Sequence, residues 1–477
     1  MPQAQVAAGH YLPDDPGDST KFCVNVYPEK NDADGARPVK LVRRVGSLDL
    51  IQSSGVTFTT VRGMGQADGH ASGKVLIIDG TTVRTYDTSA ATFGTLSGTV
   101  AGSDRAQFAF AEVEAGILAN GDFYVSTGSA VAAATDADWA TLLSDHSETD
   151  FTSVSTLGQR ALLTYGSRFA FSDALDFNQT TTLNYYTAES APDGIVAGHV
   201  LGDWYYVFGT QTIEIWTQTG DNDDPFRPLT SSVIQRGCLA RDTIRLLDNT
   251  LFFVADDYTV RRLGQGMADI ISQAWVTRAL RSENKADLIA STMEYDNHTF
   301  YIINGLNNCL VYSVAFGTWQ LFSSLESDTW KYAYILDKDG THYGLGRTGT
   351  VFSELSRSFE SDEKAAAGTF GNEVVWQASA HLPITTGRPT IKSIRIDGTK
   401  GVGSAADAFE DGFVERRISR DNGNTWGDWK RKSTGKQGEY SKRTIWRLNG
   451  RGNPPQTIIQ FRGNDMQQIY GVSVNDD

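Results

Sequence analysis

The stretch Val75-Leu76-Ile77-Ile78-Asp79-Gly80-Thr81-Thr82-Val83-Arg84-Thr85-Tyr86 decides the fold. Four apolar residues lead into Asp-Gly, and a second run rich in β-branched and aromatic residues follows. Asp-Gly between two such runs marks a tight hairpin, because the glycine accepts the positive φ that the turn needs. The arrangement recurs at Ile117-Leu118/Asn120-Gly121/Phe123-Tyr124-Val125 and at Ala161-Leu162-Leu163/Gly166-Ser167/Phe169-Ala170-Phe171. It returns at 204–208/Gly209-Thr210/213–216, at 251–254/Asp256-Asp257/260–263 and at 300–303/Asn304-Gly305/310–312. The last copy is His342-Tyr343-Gly344-Leu345, with Gly349 in the turn and Val351-Phe352 beyond it. Successive copies begin about 42 to 49 residues apart. A four-stranded propeller blade takes roughly 40 to 50 residues, so the spacing predicts about seven blades over 21–365. A lone blade cannot bury both faces, and a closed ring of blades can. Residues 56–62 are expected to supply the strand that closes the ring.

Two short helices interrupt the pattern. Residues 136–143 carry Trp139, Leu142 and Leu143, and residues 268–281 place Ile271, Trp275, Ala279 and Leu280 at helical spacing. Both are expected to pack against the side of a blade. Charged and then Ala- and Gly-rich sequence over 356–371, with the break Ala365-Ala366-Ala367-Gly368, reads as a linker. Strand-like runs follow at 373–378, 391–396, 413–419, 444–448, 457–461 and 469–474. The expected organisation is all-β: an N-terminal arm over 1–20, a β-propeller over 21–365 and a C-terminal β-sandwich-like domain over 366–477.

Composition narrows the function. The chain has 477 residues, 40% of them hydrophobic, and a formal net charge of -15. Such a charge argues against a protein that coats nucleic acid over its whole surface. No apolar run approaches the roughly 18 residues that span a bilayer, and residues 1–15 show no secretory signal pattern. Cys23, Cys238 and Cys309 are far apart, which suits synthesis in a reducing compartment. From Asn372 onward there are 16 Lys plus Arg against 12 Asp plus Glu, about +4, which leaves about -19 for the rest. The basic residues cluster at Arg416, Arg417, Lys430, Arg431, Lys432, Arg443 and Arg447. That asymmetry suits docking between copies or onto an acidic partner.

Signals for catalysis are lacking. The seven histidines are scattered without metal-ligand spacing. Asp221-Asn222-Asp223-Asp224 has neither the glycine nor the glutamate of a calcium loop, Ser232 standing at the twelfth position. No phosphate-binding glycine loop and no nucleophile elbow is present. No cofactor is expected. Ser419, Asp421, Gly423, Thr425 and Trp426 match the Asp-box of sialidase propellers, which is a structural turn even in enzymes. The single copy lies outside the blade array.

These residues, taken with two further stretches, resemble a phage family: the tail nozzle, packaged-DNA stabilisation or tail hub proteins of short-tailed bacteriophages. Asn25-Val26-Tyr27-Pro28-Glu29 and Leu41-Val42-Arg43-Arg44-Val45-Gly46 resemble the family's opening, with Val45 where proline is usual. Ala188-Glu189-Ser190-Ala191-Pro192-Asp193-Gly194-Ile195 precedes Trp204, Phe208-Gly209, Thr212-Ile213-Glu214, Thr219-Gly220, Phe226 and Gly237-Cys238. At the end, 419–426, Gly438-Glu439-Tyr440, Arg443, Trp446 and Arg451 resemble the closing strands. The resemblance implies a β-propeller and a non-enzymatic virion protein, made in the bacterial host cytoplasm. It implies a homohexamer below the portal and adaptor that extends the DNA channel, retains packaged double-stranded DNA without reading its sequence, and carries needle, fibre or spike proteins. The competing expectation is a receptor- or glycan-binding tail propeller, in which Trp319, Trp330 and Tyr332 would stack on sugars if exposed, their own expected place being the blade core; a sialidase-like hydrolase is the remaining one.

Overall fold

The structure, a computed structural model, describes residues 3–4, 6–13, 20–31, 38–51, 54–188, 193–229, 232–264, 266–348, 351–365, 371–382, 387–401 and 412–475. Glu189, Ser190, Ala191 and Pro192 of the resemblance, the turn residue Gly349, and Ala366, Ala367 and Gly368 of the linker lie outside the described residues.

Seven four-stranded antiparallel sheets form the propeller. Six are continuous in sequence, at 61–95, 107–133, 153–187, 195–228, 245–270 and 289–321. The seventh takes Tyr332–Lys338, Thr341–Gly346 and Phe352–Ser356, and its outermost strand is Gly46–Asp49 from the other end of the ring. That strand closes the circle. The sequence reading placed closure at 56–62, but Val61–Gly65 is the first strand of the first blade. Gly46–Asp49 has no apolar run to announce it. Its role is carried by ladder hydrogen bonds and by Ser47, whose hydroxyl accepts from the Tyr332 hydroxyl at 2.7 Å and from the Glu363 amide at 2.7 Å.

The apolar runs are continuous because each blade is buried on both faces. In Val75–Asp79 every residue is buried. Val75 and Ile77 pack into the core shared with the seventh blade, and Leu76 and Ile78 into the core shared with the second. Leu162 and Leu163 divide in the same way between the fourth and second blades, as do Phe252 and Phe253 between the sixth and fourth. Each of the seven gaps between blades holds one hydrophobic cluster, and each fully buried aliphatic side chain there contributes about 1.5–3 kcal/mol. The helices Asp138–Asp145 and Ala274–Arg281 wedge into two of these gaps through Trp139 and Leu142, and through Trp275, Val276 and Leu280. The second helix starts later than its periodicity predicts, because Met267–Ile270 is the outer strand of the fifth blade. The first strands of successive blades surround an axial cavity of about 540 Å³.

Both ends of the chain build the second body, a sandwich. One sheet orders Val26–Lys30, Val39–Arg43, Gln468–Val474, Ser393–Gly398 and Ile445–Arg447, with Gln3–Ala4 also paired to Gln468–Val474. The other orders Cys23–Val24, Trp376–His381, Ile458–Gly463, Gly412–Ser419 and Lys430–Gly435. The sequence reading assigned 21–43 to the propeller. Periodicity reports that a segment is a strand but not which strand it pairs with, and these strands pair with the C-terminal ones. Cys23–Val24 also lies parallel to Thr318–Leu321, so one sheet runs from the sixth blade into the sandwich.

The joint is locked by a buried polar cluster. Arg44 bonds Asp362 through two nitrogens at 2.9 and 2.7 Å, and also reaches the Ser323 carbonyl at 2.7 Å. Its Nε donates to Asn25 Oδ1 at 2.8 Å, which also accepts the Ser323 amide at 2.8 Å. The Asn25 amide nitrogen donates to the Val375 carbonyl at 2.8 Å. A Cβ on Gly46 would lie 2.4 Å from the Phe359 carbonyl oxygen, so this close approach requires glycine. Asn25, Arg44 and Gly46 all belong to the opening motif.

Asp362→Ala leaves the Arg44 guanidinium buried without a counter-charge. We expect a loss of about 3–5 kcal/mol in denaturant unfolding, largely recovered in an Arg44→Met/Asp362→Leu double variant. Asp79 makes a second test. Burial raises its pKa, but the Thr60 and Thr59 amides and Arg84 bind the carboxylate and hold it below the usual carboxylate range. A depressed folded-state pKa gives stability that is present above the ordinary aspartate value and lost as pH falls through the depressed one. Asp79→Asn is therefore expected to flatten the acid limb of Tm against pH; an unchanged limb would refute the assignment.

Candidate functional site

The basic residues of the C-terminal half lie on two strands and the segments beside them. Gly412–Ser419 alternates, with Val414, Arg416 and Ile418 buried and Phe413, Glu415 and Arg417 half-buried on the outer face. Arg416 and Arg417, expected on one docking surface, therefore point to opposite sides. Arg416 is almost wholly enclosed and donates to Asn449 Oδ1, while its Nε has no partner among the described residues. Burial, then Arg420, pulls its pKa down to about 10, so it still carries charge at neutral pH. On the outer face Arg417 sits between the Trp426 and Trp429 rings, 4.5 Å from each, and donates to Gln460 Oε1 at 2.6 Å.

Lys430, Arg431 and Lys432 divide in the same way. Arg431 is on the outer side, paired with Glu415 at 3.1 Å and lying over Phe413. Lys430 and Lys432 lie opposite Arg416 and Val414 in the ladder. Both lysines are exposed and form no ion pair with any described residue. Together with Ile445, Trp446 and Arg447 on the edge of the facing sheet, Arg416 and the 430–432 run line a cavity of about 490 Å³. It opens where the two edge strands part, and no carboxylate is among its lining residues. Arg443 is exposed just ahead of that edge. The arrangement offers cations to an acidic segment above the buried Trp446, and its lining holds no nucleophile or acid–base pair.

The Asp-box residues form a turn. The Asp421 carboxylate accepts the Thr425 amide at 2.8 Å, the Thr425 hydroxyl at 2.6 Å and the Ser419 hydroxyl at 2.7 Å. Ser419 Oγ in turn accepts the Gly423 amide at 2.8 Å. Asn422 and Gly423 both have positive φ. Trp426 packs edge-on against Phe22. The sequence reading missed Trp429 and Arg462, which extend the stack: Arg462 lies 4.3 Å from the Trp429 ring and pairs with Glu415 at 2.7 Å. The two tryptophans three residues apart were the available signal.

Trp319, Trp330 and Tyr332 take the blade-core places expected of them and not the sugar-stacking role of the competing expectation. All three are almost wholly enclosed, which makes them inaccessible to a glycan. Asp221 caps its own turn by accepting the Asp223 amide at 2.9 Å. Among the described residues no group of three or more His, Cys, Asp or Glu side chains could hold a metal ion. No described helix is long and apolar enough to cross a membrane.

Asp421→Ala removes the three bonds that hold the turn between Gly412–Ser419 and Lys430–Gly435. A loss of about 1–2 kcal/mol is expected in urea unfolding, read from the midpoint at an unchanged m-value.

Residues 39–340 match the model of the phage stabilisation family described as bacteriophage P22 Gp10, beta-propeller. The tail hub protein gp10 of Salmonella phage P22 is 28% identical over 140 residues, which cover 27% of this chain and 30% of that protein. The aligned stretch thus spans less than a third of that relative. Among solved structures, the β-propeller domain of Cps50 (Swd1) from Myceliophteria thermophila aligns with TM-score 0.42 and 12% identity, covering 63% of this chain and 97% of that one. The extracellular domain of the hybrid two-component system BT3049 from B. thetaiotaomicron aligns with TM-score 0.41 and 10% identity, covering 70% of this chain and 46% of that one.

Proposed function

The chain belongs to the family described as bacteriophage P22 Gp10, beta-propeller, and from that premise we propose that it is the nozzle protein of a short-tailed phage. Membership supports a structural role in the phage tail and a place in the virion. In the finer reading, six copies stand below the portal and adaptor, extend the DNA channel, retain the packaged duplex and anchor a needle, fibre or spike.

The observation that carries this reading is the tie between the bodies. The strand that closes the ring is followed back, through Arg44, into a sheet of the sandwich, and Cys23–Val24 joins the sixth blade to the other sheet. Such a subunit resists both opening of the ring and hinging of the sandwich, as a channel wall under internal load requires. The axial cavity of about 540 Å³ is the size of a ligand pocket, whereas the major groove of B-DNA alone is about 12 Å wide. The DNA lumen in this reading lies between copies and not through a propeller. An acidic surface toward that lumen repels phosphates and keeps the duplex from adhering during ejection. The cation-lined edge around Lys430 and Lys432 docks an acidic surface of a neighbouring copy or of the adaptor. No step uses a titrating side chain or a cofactor.

Immunogold labelling of purified virions with antibody to this chain is expected to place gold at the short tail below one capsid vertex. Label on peripheral appendages would favour receptor binding, and a virion without label would sink the reading. A Lys430→Glu/Lys432→Glu variant changes exposed groups only, so it is expected to fold normally while infectious titre falls at least tenfold through failed tail assembly. Wild-type titre would remove the docking role of this edge.

A further inference from the structure

The axial cavity is cationic at the end where the first strands begin. Arg105 and Arg241 share one carboxylate, Asp242, at 2.9 and 3.1 Å. Backbone carbonyls take other donors of both: Leu288 accepts from Arg105 at 2.7 Å, and Thr152 from Arg241 at 2.8 Å. Arg245 differs. Its one hydrogen bond among the described residues runs from Nη1 to the Ile244 carbonyl at 2.7 Å, and no carboxylate lies within ion-pair distance. Three guanidinium groups against one carboxylate leave two positive charges among the lining residues.

Enclosed cations of this kind are costly unless a counter-charge reaches them. Burial pulls the Arg245 pKa down, with Asp242 opposing. Burial likewise pulls the neighbouring His199 down to about 4, and Arg245 adds to the effect, so His199 is neutral at physiological pH. Its Nδ1 lies 3.1 Å from the Val200 carbonyl, and it lines the cavity together with Tyr334. A guanidinium fork matches the geometry of an oxyanion.

We infer that the propeller axis binds a small oxyanion carrying two or more negative charges, gripped by the free donors of Arg245 inside the frame that Asp242 makes with Arg105 and Arg241. The volume, about 540 Å³, lies in the range of small-molecule sites. The bound anion neutralises the axis where the blades converge and ties the fifth blade to its neighbours, so occupancy raises the stability of the ring. This inference does not rest on the nozzle reading.

The test uses the full chain and inorganic phosphate, titrated against chloride at matched ionic strength and followed by thermal unfolding and by calorimetric binding. Wild type is expected to show a saturable rise in Tm and one strong site. Arg245→Gln should weaken phosphate binding at least tenfold, and Lys430→Gln/Lys432→Gln should leave it unchanged. If Arg245→Gln does not fold, Arg245→Lys serves: it keeps the charge but not the fork, and should bind several-fold more weakly. A response equal to that of chloride, full affinity in the Arg245 variants, or loss in the lysine pair instead would each overturn the inference.

Discussion

A four-stranded sheet with apolar side chains on both faces has no stable existence alone, and the rest of this molecule answers that constraint. Leu76 and Ile78 leave one side of their strand and Val75 and Ile77 leave the other, so each blade needs two neighbours. Only a closed ring supplies two neighbours to every blade. Closure then demands one strand out of sequence order, and Gly46–Asp49 provides it. The ring is consequently held by a non-local contact between residues roughly 300 positions apart, and stability depends on how firmly that strand is anchored.

The anchor is electrostatic. Arg44 precedes the closing strand and Asp362 follows the last blade, so their bidentate pair clamps the two ends of the propeller. A buried ion pair contributes little net stability compared with well-packed apolar groups, but its geometry is specific. Asn25 adds register, because its side-chain oxygen and nitrogen meet three different segments. The cluster thus selects one way of joining ring and sandwich where apolar contacts alone would tolerate several.

Much of the fold was legible in the sequence because its decisive signal is local. Hairpins such as Val75 to Tyr86 repeat at blade spacing, and two-faced burial turns each into a continuous apolar run. What stayed hidden was non-local. Nothing in Gly-Ser-Leu-Asp announces a closing strand, and nothing in 23–43 says that its partners lie more than 300 residues away. The basic cluster was visible as composition, but its division between two faces depends on strand phase. A one-residue step sends Arg416 inward and Arg417 out between two indoles. Arg105, Arg241 and Arg245 escaped notice because Arg105 leads into the second blade and the other two into the fifth, and they meet only at the axis.

The two cationic features differ in a way that bears on their roles. At the sandwich edge, Lys430 and Lys432 are exposed, so their charges are screened by salt and act mainly on the rate and orientation of encounter. At the axis, Arg105 and Arg241 are held by Asp242 and backbone carbonyls and Arg245 by the Ile244 carbonyl, all half-buried, where screening is weaker than at the lysine edge and geometry is fixed. A surface meant for another large molecule must be reached and can be adaptable; a site meant for a small ion must be rigid and can be deep. The lysine edge has the first character and the arginine axis the second, so the same charge sign serves assembly in one place and cohesion of the ring in the other.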